Sequence, residues 1–248
     1  MVHLKKGDPE PPIDPSKYTL FAYRFCPFCE RVRLTLNYHK IDYDLRLVSL
    51  NDKPDWLLKY SPQGKVPLLI NQGDKLLESD LIMRFVDELR GEKSALMTVC
   101  GPEVFQQAAD LAKKFFSPGH VILFGKTFSD SDVTRFREAC SELDQSIKNK
   151  YFAGDQLSLA DLVLFPLIDH FEAILGVIHG TEPEKVHEFK LDEPGGGEAA
   201  PASQWPWLVK YLNTLRQESF IADSRKTSQL LARYAATQRS GCPNPEIN

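Results

Sequence analysis

The sequence predicts an α/β domain followed by an all-helical domain, and three observations carry that expectation. From Tyr18 to Leu89, short apolar runs of strand character alternate with stretches of helical periodicity. After residue 102 the strand signals fade and only helical periodicity is left. The stretch between, GEKSALMTVCGP (91–102), is rich in small and turn-forming residues and reads as a linker. A chain of 248 residues is comfortable for two domains.

Each element follows from local chemistry. Residues 1–17 carry Pro9, Pro11, Pro12 and Pro15, which favour an extended or disordered segment. YTLFAY is a strand, and Pro27 to His39 a helix that starts on a proline, which suits the first helical position. YDLRLVSL is a second strand, Pro54 to Tyr60 a short helix, and VPLLI and KLLES are two strands split by the turn NQGD. A helix over Ser79 to Arg90 closes an α/β domain spanning 18–91. In the second domain, 103–248, helical periodicity fits 103–116, 131–149, 159–175, 206–216 and 225–238. Residues 181–203 interrupt it with three consecutive glycines and six acids, the composition of a flexible insertion.

The totals exclude several classes. Thirty basic against 34 acidic side chains leave a net charge of −4, so nothing draws the whole chain to nucleic acid. No run of about 20 apolar residues could form a spanning helix, and the first residues lack the apolar core of a secretory signal. Stable membrane insertion is therefore not expected, and a cytoplasmic location is. The five cysteines are odd in number and irregular in spacing, which suits reduced thiols better than a disulfide framework.

The run YRFCPFCERVRLTL, Tyr23 to Leu36, holds the chemistry. With Pro27 in the first turn, Cys26 falls at or beside the N-cap, facing unpaired amides and the positive end of the helix dipole. Both favour thiolate over thiol. Arg24 and Arg31 add positive charge nearby. Cys29 shares a face with Val32 and Leu36 on the apolar side of the helix, where burial favours the neutral thiol. Three readings of the pair stand. One is half of a metal site, for which no second C-x-x-C or H-x-x-x-H supplies the remaining ligands, so no metal is expected. The second is a dithiol redox couple, and the third a single nucleophile, Cys26, with Cys29 structural.

Two further segments narrow what such a thiolate would meet. Val66-Pro67 in GKVPLL sits where a cis proline would turn the preceding backbone amide and carbonyl toward a peptide-like ligand. In LLESDLI, Glu78 and Ser79 stand at a helix start, with Ser79 the expected N-cap, a ready site for a carboxylate. Together these describe a cradle for a short anionic peptide containing a thiol.

The motifs CPFCERVRL, LNDKPDWLLKYSPQGKVPLL, LLESDLI and LSLADLVLFP resemble those of the cytosolic glutathione transferases, and within them the omega class. The resemblance covers about residues 18–175. It implies the glutathione transferase architecture, a thioredoxin-like first domain and a helical second. It also implies glutathione as co-substrate and a homodimer. Residue by residue, it implies that Cys26 forms a mixed disulfide with glutathione and that Phe28 lies near the thiol. Lys53 would pair with the glycine carboxylate and Val66 would hold the peptide backbone beside Pro67. Glu78 and Ser79 would bind the γ-glutamyl end. It further implies a substrate pocket in the second domain using His170, where the family often has arginine, and Tyr234; Thr227 stands where tryptophan is expected. Ser158 and Asp161 match the family's capping box, a folding signal. A cysteine in place of the usual tyrosine or serine implies thiol exchange and reduction of mixed disulfides, dehydroascorbate and methylated pentavalent arsenicals. Two other expectations share the architecture: a chloride intracellular channel-like protein, and a non-catalytic glutathione-binding scaffold.

Overall fold

The computed structural model describes residues 2–180 and 204–247; the expected insertion at 181–203 lies outside the described residues. By its internal contacts the chain divides after Thr98 into two compact units. The first holds a four-stranded mixed sheet of order β2-β1-β3-β4. Here β1 is Tyr18–Ala22, β2 Tyr43–Leu47, β3 Leu68–Asn71 and β4 Asp74–Leu77. β1 runs parallel to β2 and antiparallel to β3, and β4 returns antiparallel on β3. Phe21 pairs with Leu68 and Thr19 with Ile70, which puts Phe21, Leu68 and Ile70 on one face. There they pack with Val48, Trp56 and Leu57. Leu20 and Leu69, also paired, are fully buried on the opposite face.

Two helices complete this unit, α1 (Pro27–Tyr38) and α2 (Ser79–Glu88), and they pack on each other. The short helix expected at Pro54 to Tyr60 is a single 3-10 turn, Asp55–Lys59, with Trp56 and Leu57 as its buried anchors. The opening segment is extended along the unit: Leu4 bridges Val48 and, with Ile13, packs against the Phe21 cluster.

The second unit is helical: α3 (Met97–Phe124), α4 (Asp130–Ser146), α5 (Leu159–Ile168), α6 (Phe171–Ile178), α7 (Pro206–Arg216), α8 (Ser219–Ala222) and α9 (Ser228–Arg239). Two helices depart most from expectation, and α3 also starts inside the stretch expected as linker. Helix α3, broken once at Gly101, does not stop at residue 116 but runs on through Pro118. Phe115, Pro118, Ile122 and Leu123 form its buried stripe, and packing of that stripe outweighs the hydrogen bond a proline forfeits. Gly119 allows the close approach: a Cβ there would stand 2.9 Å from Ile174 Cδ1 on α6. The stretch 159–175, expected as one helix, breaks at Asp169 and His170. The Asp169 carboxylate is held by Arg216 (2.9 Å) and Arg225 (3.1 Å), which fixes a turn there.

Capping fixes the helix starts. Ser158 and Asp161 form the expected box, and the fully buried Asp161 also accepts from Phe152 N (2.8 Å) and Tyr211 OH (2.9 Å). A second box, Ser129 with Asp132, starts α4. Thr227 caps α9 by accepting from Leu230 N at 3.1 Å.

Candidate active site

Strand β1 delivers the chain to a tight turn in which Cys26 N donates to Tyr23 O at 3.1 Å. Helix α1 follows, with Cys26 as its N-cap in extended backbone and Pro27 at its first position. Cys26 is half-buried and Cys29, one turn on, is 1% exposed. The Cys29 thiol donates toward Cys26 Sγ, and this is the largest influence holding the Cys26 thiol below its ordinary pKa. Burial opposes it. The Cys29 and Phe28 amides and the Arg31 charge add to the lowering. No fully formed cap bond reaches Sγ, so those amides act as converging dipoles. For Cys29 the balance is reversed: burial first, then its hydrogen bond to Cys26 and that sulfur's negative charge, push its thiol well up. The two thiols are thus shifted in opposite directions, Cys26 down and Cys29 up.

Arg31 ties the two helices of this unit together. It is 3% exposed, and its Nη1 donates to Ser79 Oγ (3.4 Å) and Asp80 Oδ1 (3.1 Å) at the start of α2. Its guanidinium lies 4.9 Å from the Phe28 ring centroid. Burial lowers its pKa to about 10 against the pull of Asp80 and Cys26, so it stays cationic at neutral pH.

Beside this turn lies a cavity of about 420 Å³ lined by Phe28, the Ser61–Pro67 loop and Leu77 to Ser79. It brings together Phe28, Val66, Pro67, Glu78 and Ser79, five of the residues singled out in the sequence. Cys26 is not among the lining residues; it stands at the head of the helix turn that contributes Phe28. The Val66-Pro67 bond is cis. Lys53 also lies outside the lining, but its chain folds over the loop: a Cβ on Gly64 would meet Lys53 Cδ at 3.0 Å and Nζ at 3.3 Å. Gly64 has a φ of +61°, which a side chain would resist.

One local expectation is corrected. The N-cap of α2 is Glu78, with φ 67° and ψ 118°, and Ser79 is the first helical residue. A positive φ outside glycine costs on the order of 1 kcal/mol. It turns the chain sharply from β4 into α2 and leaves Glu78 exposed at the cavity. Ser61, Pro62, Gln63 and Lys65 complete the lining loop, with Lys65 N donating to Ser61 Oγ at 2.9 Å. These four were not singled out in the sequence. The turn-forming SPQG beside the V-P pair was the signal that pointed to them.

His170 and Tyr234 belong to the helical unit and are both largely buried. His170 precedes α6, and Tyr234 sets its ring edge-on against Phe124 and donates to Gln238 Oε1 at 3.3 Å. Among the described residues no cluster of three or more His, Cys, Asp or Glu could hold a metal ion. None of the described helices is long and apolar enough to cross a membrane.

Comparison with known proteins agrees with this geometry. Residues 20–94 match the family model of the glutathione S-transferase N-terminal domain, and residues 110–190 that of the C-terminal domain. The chain is 33% identical over 154 residues to glutathione S-transferase DHAR2 of Arabidopsis thaliana, covering 61% of this chain and 69% of that protein. It is 27% identical over 253 residues to glutathione transferase omega-1 of Caenorhabditis elegans, covering 99% and 94%. Among solved structures, glutathione transferase Omega 3C from Trametes versicolor superposes with a TM-score of 0.67 at 19% identity, over 92% of each chain.

Proposed function

This chain belongs to the glutathione S-transferase family, and from that premise we propose that it is an omega-type, glutathione-dependent thiol transferase and reductase whose nucleophile is Cys26. The observation that carries the reading is the placement of this sulfur. Cys26 occupies the N-cap position of a helix, its sulfur takes a hydrogen bond from a buried thiol and feels the charge of a buried arginine, and the turn it heads borders a cavity of ligand size.

Glutathione is the co-substrate. Lys53, laid over Gly64, pairs with its glycine carboxylate. Val66 meets its peptide backbone, and Glu78 and Ser79 at the head of α2 take its γ-glutamyl end. Phe28 and the cis proline give the cavity its apolar wall. In the first step the Cys26 thiolate attacks the glutathionyl sulfur of a mixed disulfide. The sulfur–sulfur bond of the substrate breaks and its thiolate leaves, while Cys26 becomes bonded to glutathione. In the second, the thiolate of a free glutathione attacks the glutathionyl sulfur of that intermediate, releasing oxidised glutathione and the Cys26 thiolate. A low-pKa thiol is the better leaving group in this second step. Dividing the exchange in this way is the usual gain of covalent catalysis.

Dehydroascorbate fits the same cycle, taking up two electrons and two protons as two glutathiones become one disulfide. Methylated pentavalent arsenicals are a further reducible class. His170 and Tyr234 are proposed for the second substrate, with a homodimeric, cytoplasmic enzyme as the working form.

The test is asymmetric. Cys26→Ser is expected to abolish turnover of hydroxyethyl disulfide, and Cys29→Ser to keep most of it. Equal losses would favour a dithiol couple. Retained glutathione affinity with no turnover in the unmodified protein would mean a binding scaffold.

A further inference from the structure

The residues before β1 do more than cover the sheet. Leu4 N donates to Leu47 O and Ser49 N to Leu4 O, both at 2.8 Å, so the segment docks on the end of β2. Lys6 N then donates to Asp52 O at 3.1 Å, one residue before Lys53. Further along, Asp8 O accepts from Trp56 Nε1 (3.2 Å), and the Glu10 carboxylate takes Lys59 Nζ (2.6 Å) and the Tyr60 hydroxyl. At its other end is His3, 5% exposed, its ring 5.1 Å from that of Tyr23. His3 Nε2 accepts the Arg24 amide at 3.3 Å.

That amide belongs to the turn that ends in the nucleophile. The hydrogen bonds that hold the turn include Arg24 N to His3 Nε2, Cys26 N to Tyr23 O and, as the third, Tyr23 N to Cys29 Sγ at 3.5 Å. The third orients the sulfur whose thiol points at Cys26. Two peptide groups of one short turn are thus held from outside it, one by His3 and one by Cys29. A histidine can accept here only with Nε2 bare, the proton residing on Nδ1.

We propose that residues 3–10 form a strap that positions the thiol site, with His3 as the positioning residue for the Tyr23–Cys26 turn. The proposal rests on the reading of Cys26 as the nucleophile. His3 acts through the backbone of Arg24 and touches neither sulfur. The apolar contact and backbone hydrogen bonds of Leu4 account for the docking of the strap, but they do not require a hydrogen-bond acceptor at position 3.

The test compares His3→Phe, which keeps an aromatic ring against Tyr23 and loses the acceptor, with His3→Gln, which restores an acceptor of similar reach. The readout is the pH midpoint of Cys26 alkylation by iodoacetamide in the full-length protein, followed by peptide mapping. The charged and titratable groups around that sulfur, Cys29 and Arg31, are unchanged in both variants. Loss of one ordinary hydrogen bond predicts a rise of about half a pH unit and a roughly threefold fall in kcat for His3→Phe, with KM for glutathione little changed. His3→Gln should return both toward the parent values. Hydrogen exchange at the Arg24 amide should accelerate in His3→Phe while the amides of α2 keep their protection. If His3→Phe yields too little folded protein, His3→Ala replaces it.

An unshifted midpoint in His3→Phe, or equal shifts in both variants, would overturn the proposal. Alkylation is measured without glutathione. Failure of the glutathione chemistry would appear as a missing mixed disulfide, and failure of the strap as an unmoved midpoint.

Discussion

Replacing Cys29 with alanine isolates the influence that makes Cys26 reactive. The Cys29 thiol is the largest contributor to the lowered pKa of Cys26, and it lies in a buried site where water cannot take over its role. A hydrogen bond to a charged group is worth about 1.5–3 kcal/mol, and a thiol is a weak donor, so the lower end applies. That corresponds to about one pH unit. The alkylation midpoint of Cys26 should therefore rise by roughly one unit in Cys29→Ala. It should not return to the value of a free thiol, because the Phe28 and Cys29 amides and Arg31 remain. Cys29→Ser keeps a donor, and a stronger one, so its midpoint should stay near or below that of the parent. The alanine variant also loses a buried sulfur, at a cost of about 1 kcal/mol in global stability. The assay is site-resolved alkylation across a pH series, with thiolate ultraviolet absorbance as a second probe. An unmoved midpoint in Cys29→Ala, or an equal rise in Cys29→Ser, would refute the donor role.

Four further outcomes follow from the geometry. Gly64→Ala should displace Lys53 and strain a +61° φ, costing about 1 kcal/mol of stability and raising KM for glutathione several-fold; an unchanged KM would remove Lys53 from the carboxylate. Arg31→Met should raise the Cys26 midpoint and leave Asp80 without this buried partner, which site-resolved alkylation and thermal melting would both register. Asp161→Asn places an amide among four donors at a fully buried site. It should cost about 3 kcal/mol, or roughly 10 °C in Tm, without moving the Cys26 midpoint. The pH dependence of stability has a definite sign. Cys26 is more acidic folded than unfolded, so its stabilisation is present above the unfolded thiol pKa and is lost as pH falls through the folded one. Cys29 and Cys140 have raised folded values, so what they contribute is lost only as pH rises beyond the ordinary thiol range. Between the folded and unfolded values of Cys26, denaturation midpoints should therefore climb with pH, and Cys26→Ser should flatten that climb.

Much of the site was legible because its signals are local. Pro27 fixes the start of α1, and with it the capping position of Cys26. The V-P pair and the E-S pair mark two ends of the cavity, and the Ser158–Asp161 box is written in four residues. What could not be read depends on contacts between distant segments. Arg31 sits in the sequence like any surface arginine of a helix, and only the arrival of Asp80 and Ser79 makes it a buried cation. Glu78 carries a positive φ with no glycine to announce it. The passage of α3 through Pro118 and the break at Asp169 are both decided by packing and ion pairs formed after the chain has folded. His3 is the extreme case: a polar residue of a proline-rich opening segment whose partner, the Arg24 amide, lies 21 residues further along the chain. The Ser129–Asp132 box stands in the sequence as the spacing S-x-x-D, as local a signal as the Ser158–Asp161 box.

The most direct measurement is intact mass after incubation with oxidised glutathione, followed by peptide mapping. A single glutathione adduct is expected, on Cys26, removed by added glutathione and absent in Cys26→Ser. An adduct confined to the exposed Cys242, or none at all while Cys26 alkylates only at strongly alkaline pH, would contradict it.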